Sequence, residues 1–263
     1  MKLKFLGNGG AFAPLSMGQS NAVLEIDDEN YLLIDCGTDC RHLLFERYPN
    51  LNNQNFFEKL KGCYITHIHA DHVGGLEWLG YCTYFNPSAK RPYLIGEKNI
   101  LKELWENSLS GGMRTVEGGE KNLEDFFNVI GVNKNKKFKI GEKIEVKICE
   151  SIHVSSDYGN KYNYGMIVHN LEEDFLFYYT GDVNKTNWDL NKESYEKAEL
   201  IFQDCETTSY KSGVHYHYED LCELPDDIKS KMYLYHYSED YINEDPISDG
   251  FLGFVSRSET YKV

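Results

Sequence analysis

Thr66-His67-Ile68-His69-Ala70-Asp71-His72-Val73-Gly74-Gly75 packs three histidines and an aspartate between an apolar run, Cys63-Tyr64-Ile65, and a glycine pair. His67 and His69 alternate, so at the end of an extended strand both imidazoles point the same way. After the chain turns, Asp71 and His72 are free to face a second spot close by. Imidazole and carboxylate suit zinc and similar first-row ions, and two or three protein ligands per ion leave a position open for water. Ligands this dense imply two neighbouring metals sharing one mouth. The alternative is a polar turn that is histidine-rich by chance, but the strand before it and the glycines after it stand where a metal loop needs them.

Working outward, 263 residues suffice for one large domain, and no Pro/Gly/Ser-rich linker divides the chain, so a single unit over residues 1–263 is expected. Against 27 basic side chains stand 42 acidic ones, a net charge of −15. That disfavours a general nucleic-acid surface, whose affinity comes from Lys and Arg on phosphates, and leaves a small phosphate ester held by metals compatible. No apolar run is long enough for a transmembrane helix, and Met1-Lys2-Leu3-Lys4-Phe5-Leu6-Gly7 lacks the apolar core of a signal peptide. Seven cysteines without regular spacing fit reduced thiols in the cytoplasm, with Cys36, Cys63 and Cys149 acting as small buried hydrophobes.

Strand patterns recur at residues 3–6, 22–26 and 31–34, the last two joined by the hairpin turn Asp28-Glu29-Asn30. Further strands are expected at 93–96, 144–149, 164–169, 175–180, 200–204 and 232–235, and helices at 41–48, 73–85 (ended by Asn86-Pro87), 100–109, 191–198 and 218–224. Glycines and charges dominate 108–137, with one helix expected near 123–129; this insertion is the candidate for a lid or dimer contact. Strand-rich halves with helices between them predict an α/β fold, a four-layer αββα sandwich.

The remaining ligands are expected at strand ends. His153 follows the 144–149 strand and can complete the His67/His69 set. Asp182 ends an apolar strand at Tyr179-Thr180-Gly181, where a carboxylate can bridge two cations and offset their repulsion. His236 follows Met232-Tyr233-Leu234-Tyr235 and joins Asp71, His72 and Asp182. Each has an ordinary alternative, as a loop histidine, a turn aspartate or a stray strand-end histidine. His215 and His217, in Gly213-Val214-His215-Tyr216-His217-Tyr218-Glu219-Asp220, are not needed as ligands. An imidazole beside a dinuclear centre suits stabilising a phosphorane-like transition state or protonating a leaving alkoxide, with His215 the stronger candidate.

THIHADHVGG, His153, Asp182 and His236 together resemble the metallo-β-lactamase fold. Phe5-Leu6-Gly7-Asn8-Gly9-Gly10-Ala11-Phe12-Ala13-Pro14, Leu33-Ile34-Asp35-Cys36-Gly37 and the His215–Asp220 segment resemble its tRNase Z and cyclic-nucleotide phosphodiesterase branch, over residues 3–238. The resemblance implies that His67, His69 and His153 bind one divalent ion and Asp71, His72 and His236 the other, with Asp182 bridging. Zinc is the expected metal and manganese the alternative. It also implies His215 as catalytic helper with Asp71 as its partner.

The basic, glycine-rich arm with which tRNase Z grips tRNA is missing, because only residues 154–181 separate His153 from Asp182. A compact hydrolase without that arm resembles the phage proteins that degrade cyclic mononucleotides to defeat the Pycsar defence. Those act as homodimers, a loop of one subunit closing over the other's site, and residues 110–121 are the candidate loop. The expected activity is hydrolysis of 3′,5′-cyclic mononucleotides. An RNA 3′-processing endonuclease and a lactone or thioester hydrolase on the same metals are the alternatives.

Overall fold

Apolar side chains on alternate residues give a strand one face to bury, and seven such strands assemble into each of two mixed sheets. The structure, a computed structural model, describes residues 1–49, 55–86, 89–134 and 136–263. In chain order the first strands are β1 (Lys2–Phe5), β2 (Ala22–Asp27), β3 (Asn30–Ile34), β4 (Leu60–Tyr64), β5 (Tyr93–Glu97), β6 (Thr115–Val116), β7 (Gly119–Glu120) and β8 (Asn128–Val132). There follow β9 (Lys137–Ile140), β10 (Ile144–Ser156), β11 (Gly159–Asn170), β12 (Phe175–Tyr179), β13 (Leu200–Asp204), β14 (Met232–Tyr235), β15 (Gly253–Phe254) and β16 (Tyr261–Lys262). One sheet has the order β16-β1-β2-β3-β4-β5-β8 and the other β15-β14-β13-β12-β11-β10-β9; β6 and β7 form a separate hairpin.

β12 displays the layering. Phe177 and Tyr179 enter the core between the sheets, while Tyr178 points the other way and packs with Tyr195, Ile201, Leu221 and Leu234. On β11, Met166 and Val168 face inward and Ile167 outward. Phe5 of the first sheet meets Tyr179, Phe202 and Tyr235 of the second at ring separations of 5.4–6.2 Å. Each fully buried side chain of this size stabilises the fold by about 1.5–3 kcal/mol. Helices Cys40–Arg47, Leu76–Tyr84 and Lys98–Leu104 bury Leu43, Leu79 and Leu104 with the first sheet, and Lys192–Lys197 and Tyr218–Cys222 bury Tyr195 and Leu221 on the second. The αββα sandwich is the observed architecture.

β3, β4, β5 and β8 are parallel, as are β12, β13 and β14. Their carboxyl ends therefore collect Asp35, residues 66–72, Asp182, Asp204 and His236, the position at which open α/β sheets place ligands.

Several expectations need correction. The helix expected over 73–85 is two pieces, Ala70–Val73 and Leu76–Tyr84, parted at Gly74-Gly75; Pro87, its expected stop, lies outside the described residues. The helix from Lys98 runs on as a π-turn, Trp105–Leu109, into Ser110–Met113, so the glycine-broken stretch begins helically. Near 123–129 only Leu123–Phe126 is helical, fixed by an Asn122/Asp125 capping box. The run Val129-Ile130-Gly131-Val132 instead adds β8 beside β5, and Lys137–Ile140 adds β9 beside β10, so the C-terminal end of the supposed insertion supplies an edge strand to each sheet. The two-residue strands β15 and β16 extend the fold beyond residue 238, where the resemblance was traced.

Candidate metal centre

A histidine ligand needs one ring nitrogen held by the protein and the other free. His153 meets this through an irregularity: the β10–β11 register shifts between Ile152 and Val154, a bulge that re-aims the intervening side chain. Its Nδ1 donates to the Val214 carbonyl at 3.1 Å, and its Nε2 lies 3.0 Å from His69 Nδ1. His67, buried beside Thr66, completes a cluster of His67, His69 and His153. Burial, with His215 and His69 alongside, holds His153 down at about 3, and burial depresses His67 and His69 as well. All three are neutral near pH 7, with lone pairs free to bind a cation.

Asp71, His72, Asp182 and His236 form a second, wholly buried cluster. His72 Nε2 lies 3.3 Å from Asp71 Oδ2 and 3.2 Å from Asp182 Oδ2; His236 Nε2 lies 3.4 and 3.2 Å from the same two oxygens. Ligand atoms set tetrahedrally ~2.0 Å from an ion are about 3.3 Å apart. Asp182 Oδ2 also sits 3.7 Å from His67 Nε2 and 3.8 Å from His153 Nε2, so one carboxylate faces both clusters. His67 Nε2, His72 Nε2 and Asp182 Oδ1 are buried without a hydrogen-bond partner. Atoms that converge at ligand spacing yet do not satisfy one another fit divalent cations, which this donor set is suited to hold.

Two carboxylates that the sequence did not single out as site residues orient the ligands. Asp35, at a positive φ of 60°, accepts the Thr66 N–H at 2.8 Å, the Thr66 hydroxyl at 2.7 Å and His72 Nδ1 at 2.8 Å. Burial opposes charge on His72, but Asp182, Asp71 and Asp35 outweigh it and raise the imidazole well above its ordinary range. Asp204 accepts the Val183 N–H and His215 Nδ1, each at 2.9 Å, and its other oxygen lies 3.5 Å from His236 Nδ1. Burial likewise opposes protonation of His215, yet Asp204 and Asp182 lift it to about 9. A signal for Asp35 lay in Leu33-Ile34-Asp35-Cys36-Gly37, quoted only as a likeness. Asp204, a strand-end acid within an apolar run, had the same signature as Asp182.

The backbone brings these loops together. Cys36 N–H donates to the His72 carbonyl at 2.7 Å and Gly75 N–H to the Cys36 carbonyl at 2.8 Å. At Gly37 a Cβ would lie 2.0 Å from the Asp71 carbonyl oxygen, so only glycine admits this approach. All seven residues expected as ligands meet at the centre, and His215 stands beside it. His215 pairs with Asp204, however, not with Asp71, which is turned toward His72 and His236. His217 caps helix Tyr218–Cys222, its Nδ1 accepting the Glu219 N–H and its Nε2 donating to the Thr208 carbonyl. Glu219 and Asp220 pair with Lys211 at 3.3 and 2.7 Å.

Residues 1–261 match the family model described as anti-Pycsar protein Apyc1. An anti-Pycsar protein Apyc1 of Paenibacillus sp. (strain J14) is 30% identical over 263 residues, 100% of this chain and 99% of that one. One from Bacillus phage 010DV004 is 29% identical, covering 99% of this chain and 98% of the relative. Among solved structures, the metallo-β-lactamase fold protein YhfI of Bacillus subtilis superposes with a TM-score of 0.72 at 16% identity, over 99% and 98% of the two chains. The fold is thus the metallo-β-lactamase fold, and the chain belongs to the anti-Pycsar protein Apyc1 family.

Proposed function

We propose that the chain is a metal-dependent phosphodiesterase that hydrolyses 3′,5′-cyclic mononucleotides to linear nucleotides and so removes the signal of a cyclic-nucleotide antiphage defence. The carrying observation is the shared carboxylate: Asp182 Oδ2 stands 3.2 Å from His72 and His236 and under 4 Å from His67 and His153. That spacing supports two ions, zinc first and manganese second, with His67, His69 and His153 on one, Asp71, His72 and His236 on the other, and Asp182 between. When bound, such ions polarise the phosphoryl group and acidify the attacking water.

The protein's own groups do the rest. Asp204 fixes the Nδ1 proton of His215, which leaves Nε2 to deliver a proton to the departing 3′ oxygen. Its pKa of about 9 keeps it charged at neutral pH. Asp35 and the Val214 carbonyl hold His72 and His153 in ligating orientation. Between His153 and Asp182 stand the end of β10 and the strands β11 and β12, and no tRNA-gripping arm, which favours a small ester over folded RNA. Cytoplasmic action as a homodimer belongs to the same proposal. The segment 115–120, where a Cβ added at Gly118 or Gly119 would meet open space, is the part available to close over a partner's site. Among the described residues no helix is long and apolar enough to cross a membrane.

The test offers zinc- or manganese-loaded protein cyclic purine and pyrimidine mononucleotides, precursor tRNA and an acyl lactone. Linear nucleotide from the first substrates, abolished by His69→Ala, is expected. Cleavage of tRNA or lactone with cyclic nucleotides untouched overturns the proposal.

A further inference from the structure

We propose that the cleft between residues 10–14 and residues 206–214 seats the nucleoside of the cyclic substrate, with Phe12 and Tyr210 as its base-stacking residues; this rests on the phosphodiesterase assignment above. The cleft encloses about 440 Å³, in the range of small-ligand sites, and His215 and His236 form its inner wall. Ala11, Phe12, Ala13 and Pro14 supply an apolar side, and Glu206, Glu239 and Asp240 an acidic one, with no Lys or Arg among the lining residues. Such a cleft repels a phosphate and accepts a neutral base and ribose, which leaves the phosphate to the metal centre.

Direction comes from His215. A histidine that protonates the departing 3′ oxygen has the ribose against it, because both ester oxygens of the cyclic phosphate belong to one sugar. The base then extends into the cleft that His215 walls. The larger cavity of about 760 Å³ next to His67 and His69 does not reach His215, and the ion pairs Lys161–Glu103 and Lys134–Glu150 line it.

Phe12 is fully exposed and Tyr210 68% exposed, so neither ring is held by packing within the chain. The loop beneath Phe12 is nevertheless firmly placed. Gly9 N–H donates to the Gly18 carbonyl at 2.9 Å, Ala13 N–H to the Gly10 carbonyl at 3.0 Å, and Ser20 Oγ to the Gly9 carbonyl at 2.8 Å. A Cβ on Gly10 would come within 3.2 Å of His236 Cε1, so the loop lies directly against a residue of the metal centre. Across the cleft, Glu206 accepts the Ser212 N–H at 2.9 Å and Thr208 Oγ1 donates to the Tyr210 carbonyl at 2.8 Å. Two rings on anchored loops flank an opening that leads to the reacting phosphate.

Metal-loaded wild type, Phe12→Ala, Tyr210→Ala and Phe12→Trp are compared on a 3′,5′-cyclic nucleotide and on ribose 3′,5′-cyclic phosphate, which lacks the base. Each alanine variant is expected to raise KM for the nucleotide roughly 10- to 100-fold. Activity on the base-free ester and the melting temperature stay unchanged, and Phe12→Trp keeps the wild-type KM. Equal KM values for wild type and both alanine variants overturn the cleft alone, as does a wild type that treats the two substrates alike. A wild type that cleaves neither overturns the phosphodiesterase assignment, and the cleft with it.

Discussion

Replacing Asp35 with Asn removes one acceptor oxygen from a buried carboxylate that serves three donors. Oδ1 accepts the Thr66 N–H at 2.8 Å, while Oδ2 accepts the Thr66 hydroxyl at 2.7 Å and His72 Nδ1 at 2.8 Å. An asparagine of the same shape must set its NH₂ against either the Thr66 N–H or His72 Nδ1. In the first case a buried donor goes unpaired, which costs about 1–3 kcal/mol of stability. In the second, His72 moves its proton to Nε2, the atom that faces Asp182 at 3.2 Å, and ceases to be a ligand. Loss of such an orienting partner lowers metal affinity about 10- to 100-fold, or about 1.4–2.7 kcal/mol. Competition against a chromogenic zinc chelator measures the affinity, and urea unfolding establishes that the variant is folded. Excess metal should restore much of kcat, because no substrate contact is altered. A folded Asp35→Asn protein with wild-type zinc affinity would refute the role given to Asp35.

Asp204→Asn removes the carboxylate that lifts His215 to about 9 and leaves burial to pull the imidazole down. At pH 8 a group of pKa 9 is about 90% protonated and one of pKa 6.5 about 3%, so kcat at pH 8 should fall about 30-fold and recover toward pH 6. A pH–rate profile whose alkaline limb stays in place contradicts this. Gly37→Ala drives a Cβ to 2.0 Å from the Asp71 carbonyl oxygen, a backbone overlap that no rotamer relieves. A loss of at least about 3 kcal/mol in denaturant unfolding is expected, together with weakened metal binding. Stripping the metal with a chelator should lower stability by about 4 kcal/mol relative to metal at a thousand times its dissociation constant, read as a drop in Tm. Protons compete for the same nitrogens, and His72 in particular is drawn to its charged form. Metal should therefore leave as pH falls and bind more tightly as pH rises, and equilibrium dialysis showing the reverse overturns the ligand assignment.

Local spacing alone made much of this protein legible. The alternation of His67 and His69 after a strand, the turn to Asp71 and His72, and the single ligands Asp182 and His236 after two later strands are consequences of side-chain direction, which the backbone period dictates wherever the chain is extended; His153, expected after a strand, stands instead inside β10. The two-sheet sandwich followed from the same period, seen in Phe177, Tyr178 and Tyr179. Charge and the short 154–181 connection also argued from the chain itself against an RNA-gripping surface. Other features had no local signature. β8 reads as well for a helix as for a strand until it pairs with β5, and β15 and β16 are two residues each, held only by neighbours distant in the chain.

The partner of His215 was likewise settled in three dimensions. Asp71 stands in the dense motif, but the parallel pairing of β13 with β14 sets Asp204 beside His236 and 2.9 Å from His215, while Asp71 faces His72 and His236. The β10 bulge that aims His153 and the meeting of Gly37 with Asp71 belong to the same class. Which residue types bind a cation is a property of their atoms and can be read one residue at a time. Which carboxylate steers which imidazole depends on strand order and register, and those arise only when segments far apart in sequence bury their faces against one another.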